Sequence, residues 1–151
     1  MLASLLYLAL GLAWTFRSLL EVVAQPDYWE PVTTIDWIAV WSYSLAFGLL
    51  AIAAPLLAHQ AGSRMMVLVI AWAVAAGALA TAIANGIEDG VGVESWGSVY
   101  VASVMVTLIA LIVLAAALWI DQRPRYGGVV LLWTIGFVLV TTPFGCVALI
   151  G

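Results

Sequence analysis

Lysine is absent from this chain, arginine occurs four times, and there is one cysteine and one histidine. Without lysine, no Schiff base to retinal or to pyridoxal phosphate can form. Cys146 has no partner in the chain for a disulfide. With His59 as its companion it falls short of a structural zinc set, a four-cysteine iron–sulfur cluster or a bis-histidine haem. No Gly-rich phosphate loop of the Walker type and no nucleophile elbow is present. Charged residues make up 8% of the chain, where a soluble domain carries about a quarter. A net charge of −4 without lysine excludes a nucleic-acid binder. The sequence therefore points to no cofactor and no metal, and any site must be built from carboxylates, arginine, asparagine, hydroxyls and aromatic rings.

What remains is apolar. Hydrophobic residues account for 66% of the 151 positions, and the mean hydropathy is +1.20. So few polar side chains cannot cover a water-facing surface. The abundance of Trp, Leu, Val and Ile excludes disorder. A helix that crosses a bilayer needs about 20 mostly apolar residues, and five stretches qualify: Leu2–Val23, Trp37–Ala58, Met65–Ile87, Gly97–Ile120 and Gly128–Ile150. Backbone groups in lipid must bond within their own segment, so runs of this length read as helices. The expectation is an all-α, polytopic membrane protein, a single transmembrane domain over residues 1–151 built as a bundle of five transmembrane helices. Leu2–Leu12 has the apolar core of a signal peptide, but no basic residue precedes it and Arg17 interrupts the approach to a cleavage site, so an uncleaved first helix is expected.

Arginine placement predicts the orientation. Arg64 lies in the second connection, and Arg123 and Arg125 lie in the fourth. The first and third connections carry Asp27, Glu30, Asp36, Glu88, Asp89 and Glu94 instead. The positive-inside rule then places the N-terminus and the arginine-bearing connections in the cytoplasm, with the C-terminus and the acidic loops outside. Trp29, Trp37, Trp41 and Trp96 fall near the outer boundary, and Trp119, Tyr126 and Trp133 near the inner one, as an aromatic belt requires.

Some polar residues sit where lipid should be. Arg17 lies six positions inside the outer end of the first span; it either snorkels to the headgroups or turns into the bundle. Glu21, one turn further along, can pair with it. On the third span Thr81, Asn85 and Glu88 form one stripe with Asp89 beside it, extended inward by the small residues Gly77 and Ala73. Small residues favour close helix approach in lipid, which turns this face inward. The alternative is that Asn85 and Gly86 end the helix and leave Glu88 and Asp89 in a solvated loop. The Gly86–Gly90 spacing matches a helix-packing motif but is given no weight, because its interior is acidic. Thr33 and Asp36 have capping-box spacing, Ser95 is a candidate N-cap for the fourth helix, and His59 reads as a loop residue. Tyr43 lies just inside the second span, and Tyr100, Ser103 and Thr107 form a polar stripe on the fourth.

No motif in the chain reaches the specificity of a family resemblance. The leading expectation is a small membrane protein with an outward-facing acidic and aromatic pocket, made by Arg17, Glu21, Asn85 and Glu88 with Glu30 and Asp89 at the rim and Trp37 and Trp41 alongside. It would bind a cation, a lipid headgroup or a cationic small molecule, as a transport or accessory component, alone, as a homo-oligomer or with a partner membrane subunit. The competing expectation is a cofactor-free membrane enzyme, an acid/base isomerase or cyclase of a lipid-like or isoprenoid substrate. Glu21 and Glu88 would exchange protons there, and Trp37 or Trp41 would face the developing positive charge. A purely structural role is the third.

Overall fold

A computed structural model describes the backbone of residues 2–24 and 31–150, and the side chains of residues 5–20, 23–24 and 31–138. The chain forms helices α1 (Leu2–Ala24), α2 (Thr34–Gln60), α3 (Met65–Val91), α4 (Gly97–Ile120) and α5 (Pro124–Ile150), with one 3₁₀ turn, Glu94–Trp96, ahead of α4. There is no strand among the described residues. Three stretches, Thr34–Gln60, Met65–Val91 and Glu94–Ile120, are helical, long and apolar enough to cross a membrane.

Consecutive helices pack side by side, and α1 also meets α5. The interior is filled by Leu10, Trp14, Phe47, Leu50, Leu57, Leu111, Leu114 and Phe137. Alanines such as Ala53, Ala54, Ala71 and Ala78 are fully buried as well. Equally large apolar side chains, Leu8, Leu45, Val69 and Ile109 among them, point outward. Lipid is as apolar as the core, so hydrophobicity alone does not decide which face turns in; close contact and interhelical hydrogen bonds do. A methyl group added at Gly77 would come within 3.3 Å of the α4 backbone at Thr107, so this glycine lets α3 and α4 approach.

Helix ends follow from cap chemistry. Thr33 caps α2: its Oγ1 accepts from the Asp36 N–H at 3.3 Å, and Asp36 Oδ2 accepts from the Thr33 N–H at 2.7 Å. Asp36 is thereby committed to the helix start, and α2 begins three residues before the span read from hydropathy. At its other end α2 continues through His59, which is exposed in the last turn instead of lying in a loop. The chain then leaves through Gly62 at φ 61°, with the N–H of Ser63 bonded to Ala58 O at 3.3 Å and that of Gly62 to His59 O at 3.0 Å. This is a Schellman closure. The end of α4 repeats it: Arg123 N–H bonds to Leu118 O at 2.8 Å and Gln122 N–H to Trp119 O at 3.0 Å. Here, however, the left-handed position is held by Gln122, at φ 58°.

Two local expectations, on Ser95 and Ala73, are corrected, and of the two readings of Asn85 the continuing helix is the one found. Asn85 and Gly86 do not end α3; it runs to Val91 and closes at Gly92, which supplies φ 78°, so Glu88 and Asp89 are on the helix. Ser95 is not the cap of α4: it lies in the 3₁₀ turn, and Trp96 precedes the helix with no side-chain cap bond. Ala73 is exposed, not part of the buried stripe. Steps of four residues drift about 40° each around a helix, so two of them from Thr81 leave the contact face, which Val74 and Ala71 occupy instead.

The left-handed Gln122 generates a prediction. A residue with a Cβ at φ 58° is strained by about 1–2 kcal/mol, partly offset by its lower entropy in the unfolded chain. Gln122→Gly is expected to raise stability by about 0.5–1 kcal/mol, read by thermal or denaturant unfolding of the reconstituted protein. A variant no more stable than the parent would show that side-chain contacts of Gln122 compensate for the backbone.

Candidate functional site

The acidic end of the bundle gathers polar groups from four helices. Arg17 on α1 is fully buried (0% exposed), so it does not snorkel along the lipid face. Its guanidinium carbon stands 5.7 Å from the centre of the Tyr43 ring on α2, within cation–π range. Tyr43 is itself buried, and its hydroxyl accepts a hydrogen bond from Tyr100 on α4 at 2.9 Å. Both tyrosines are within electrostatic reach of Arg17 and of Asp89 on α3, and Tyr100 also feels Glu88. The tyrosine pair thus links the buried cation on α1 to α4.

Asn85 fastens α3 to α2. Its amide donates to Val40 O at 3.1 Å and to Ser44 Oγ at 3.0 Å, and Ser44 in turn donates to Ala82 O at 3.1 Å. A side chain so occupied is a clamp between helices before it is a ligand contact. Deeper in, Thr81 Oγ1 lies 3.1 Å from Ser103 Oγ, Ser103 donates to Tyr100 O at 2.8 Å, and Thr107 donates to Ser103 O at 2.7 Å. Below Thr107 the buried residues turn apolar, with Val74, Leu111, Leu114 and Leu118. The polar file therefore enters from the acidic end and stops near the middle of α4.

Glu88 and Asp89 are half-buried on the last turn of α3. Glu88 lies against the start of α4, where a methyl group added at Gly97 would come within 2.6 Å of Glu88 Oε1; the positive end of that helix favours a carboxylate there. Gly77 and Glu88, eleven residues apart, differ by only about 20° around α3, so the carboxylate crowns the α3–α4 seam. Down that seam runs an open groove of about 510 Å³, walled by Ala76, Gly77 and Ala80 on α3 and by Ser98, Ala102 and Val106 on α4.

The tryptophans separate. Trp41, 51% exposed, lays its ring across Gly86 and Gly90: methyl groups there would meet it at 3.4 and 3.0 Å. The glycine spacing dismissed in the sequence is thus a seat for an aromatic ring from α2. Trp37 is 38% exposed and sits about 120° around α2 from Tyr43. The side chain of Glu21 and the whole of Glu30 lie outside the described residues. Among the described residues no three His, Cys, Asp or Glu side chains cluster to hold a metal ion. Sequence reasoning missed the Tyr43–Tyr100 bond and the Ser44 contact, because pairing between helices leaves no trace in either helix alone; the Gly86–Gly90 spacing was the one visible signal for Trp41.

Comparisons with protein-family models, with curated proteins and with solved structures return no match.

The clamp makes a test of the site's scaffold. Asn85→Ala removes both donor contacts and is expected to lower stability by about 1 kcal/mol, measured by denaturant unfolding in the same bilayer mimetic. Full retention of stability would show that α2 and α3 hold together without it.

Proposed function

We propose that the chain is a five-span membrane protein, with its N-terminus and arginine-bearing connections in the cytoplasm, that binds an amphiphile with a cationic headgroup at its outer, acidic end. The observation that carries this reading is the contact of Glu88 with Gly97, the residue before Ser98 in the wall of the open α3–α4 groove. A carboxylate above an apolar, lipid-accessible slot is complementary to a molecule with a positive head and an alkyl tail. Asp89 adds a second negative charge one residue away, and the tyrosine pair offers hydroxyls behind it. The protein would serve as a transport or accessory component, by itself, as a homo-oligomer or beside another membrane subunit.

Arg17 argues for binding over conduction. A fixed cation behind Tyr43 opposes passage of a second one, and pores use such residues to exclude cations. The polar file ends against buried leucines, which again supports a closed site. The enzyme reading draws support from the same groove, because a lipid-open slot beneath carboxylates suits an isoprenoid substrate. But Glu88 lies on the last turn of α3, at the end of the bundle, and is only half-buried. Proton transfer to a carbon–carbon double bond needs a site that excludes water, so binding is preferred.

The test uses protein in lipid nanodiscs with tetradecyltrimethylammonium and a neutral alkyl maltoside as probes, followed by native mass spectrometry. The cationic probe is expected to bind more tightly, and Glu88→Gln to weaken it about fivefold, the effect of roughly 1 kcal/mol. Ala102→Phe, which fills the groove without touching a charge, should weaken both probes. Equal affinity of Glu88→Gln and the parent for the cationic probe would refute the assignment.

A further inference from the structure

The opposite end of the bundle carries the reverse chemistry. Arg64 precedes α3, Arg123 precedes α5 and Arg125 lies in the first turn of α5. Asp121 follows α4 and lies with them. Both Asp121 oxygens are taken by one residue: Oδ1 lies 3.1 Å from Arg64 Nε, and Oδ2 accepts from the Arg64 N–H at 3.2 Å. The Asp121 side chain is 10% exposed, while that of Arg64 is 86% exposed. The aspartate thus fixes the arginine by its backbone and by one guanidinium nitrogen, and the rest of the guanidinium is turned to solvent. Arg123 reaches the neighbouring turn, with Nη2 3.8 Å from where a Gly62 methyl group would sit. Three arginines against one aspartate leave this end positive. The first amides of α3 lie here too, since Arg64 caps that helix without a side-chain bond.

Beneath Arg64 and Asp121 lies a second groove between α3 and α4, about 320 Å³, lined by Met66 and Ile70 on one side and Ile112, Val113, Ala116 and Ile120 on the other. It is apolar along its length and charged only at its mouth. From this we infer that the basic end of the bundle binds an anionic phospholipid, its phosphate held by the Arg64 guanidinium and its acyl chain laid in the α3–α4 groove. The arginine fork matches phosphate oxygens, and basic pockets between membrane helices take up anionic headgroups by the same chemistry. A zwitterionic lipid has the same tail but leaves the excess positive charge unmatched. Charge complementarity therefore chooses the anionic one. The site uses no residue of the acidic end, so the two assignments stand or fall separately.

The experiment places the full chain in nanodiscs of equal parts phosphatidylglycerol and phosphatidylcholine, releases it from them, and counts retained lipid by native mass spectrometry. Phosphatidylglycerol is expected to be retained in preference, one molecule per chain. Arg64→Gln should lower that preference about fivefold, the effect of one arginine at a membrane surface. Asp121→Asn, which removes the negative charge beside Arg64, should keep or strengthen it. Because Arg64→Gln also removes the guanidinium from Asp121 Oδ1, a second variant guards against misfolding: Ala116→Phe fills the groove wall and should reduce retention while leaving all charges in place. Equal retention of the two lipids by the parent chain would overturn the inference. So would undiminished lipid retention in Ala116→Phe. Binding of inorganic phosphate in competition with the lipid, unaffected by Ala116→Phe, would make this an anion site without a lipid and overturn it as well.

Discussion

A guanidinium in the interior of a membrane protein has to be compensated by the groups around it, and Arg17 organises the acidic half of the bundle for that reason. Moving an arginine toward the middle of a bilayer costs about 2.5–3.5 kcal/mol on insertion scales, and a buried ion without compensation is strongly destabilising. Fully buried on α1, it meets the face of Tyr43 on α2; Tyr43 is bonded to Tyr100 on α4; and both rings lie in the field of carboxylates on α3. Each of these helices therefore has a reason to present a polar side chain at the same depth. The hydrogen bonds of Asn85, Ser44, Thr81 and Ser103 then fix how the helices sit against one another. Toward the other end the buried side chains among the described residues are mostly leucine, valine and alanine, with Thr134 bonded within its own helix to Val130 O.

The small residues and the polar ones act together. Interhelical hydrogen bonds need backbones close enough for short side chains to reach, and Gly77 opposite Thr107 supplies that approach between α3 and α4. Above it lies the groove under Glu88, and toward the other end lies the groove under Arg64. The same helix pair thus presents a lipid-facing slot at each end, one headed by a carboxylate and the other by a guanidinium. Segregation of charge between the two ends, which orients a chain during insertion, also leaves charge of opposite sign beside the two slots.

The helices were legible because hydrocarbon thickness imposes a length and because turns collect Pro, Gly and charge. Their ends were less so. Hydropathy stops at Ile87 and Trp37, where charged residues begin, whereas a helix stops where its caps are: Gly92 in the left-handed region for α3, Thr33 and Asp36 for α2. Thr33 and Asp36 could be read as a cap from spacing, since a capping box is local. The closure at Gln122 could not, because glutamine carries no preference for that conformation. Within the site, the polar face of α3 was readable from Thr81, Asn85 and Glu88, yet Ala73 was misplaced because steps of four drift around the helix. That Tyr43 meets Tyr100, or that Trp41 covers Gly86 and Gly90, depends on how helices rotate against each other, and apolarity on every face removes the pattern that would have told it.

That same uniform apolarity explains why the few polar contacts carry so much of the specificity. In water, a helix of this composition would be oriented by its hydrophobic face; here α2 has large apolar residues both buried and exposed along its length, and its rotation is set by Ser44, Val40 O and Tyr43 meeting partners on α3 and α4. A change to one of those groups leaves every helix intact but removes the reason for its rotation. Arg17 is the extreme instance. Its charge selects Tyr43 as a neighbour, and the tyrosine pair carries that choice to α4 and toward the carboxylates of α3. The arrangement that surrounds the buried cation thus brings together the same helix ends that set Glu88 against the start of α4, so a single electrostatic requirement both packs the helices and shapes the acidic end.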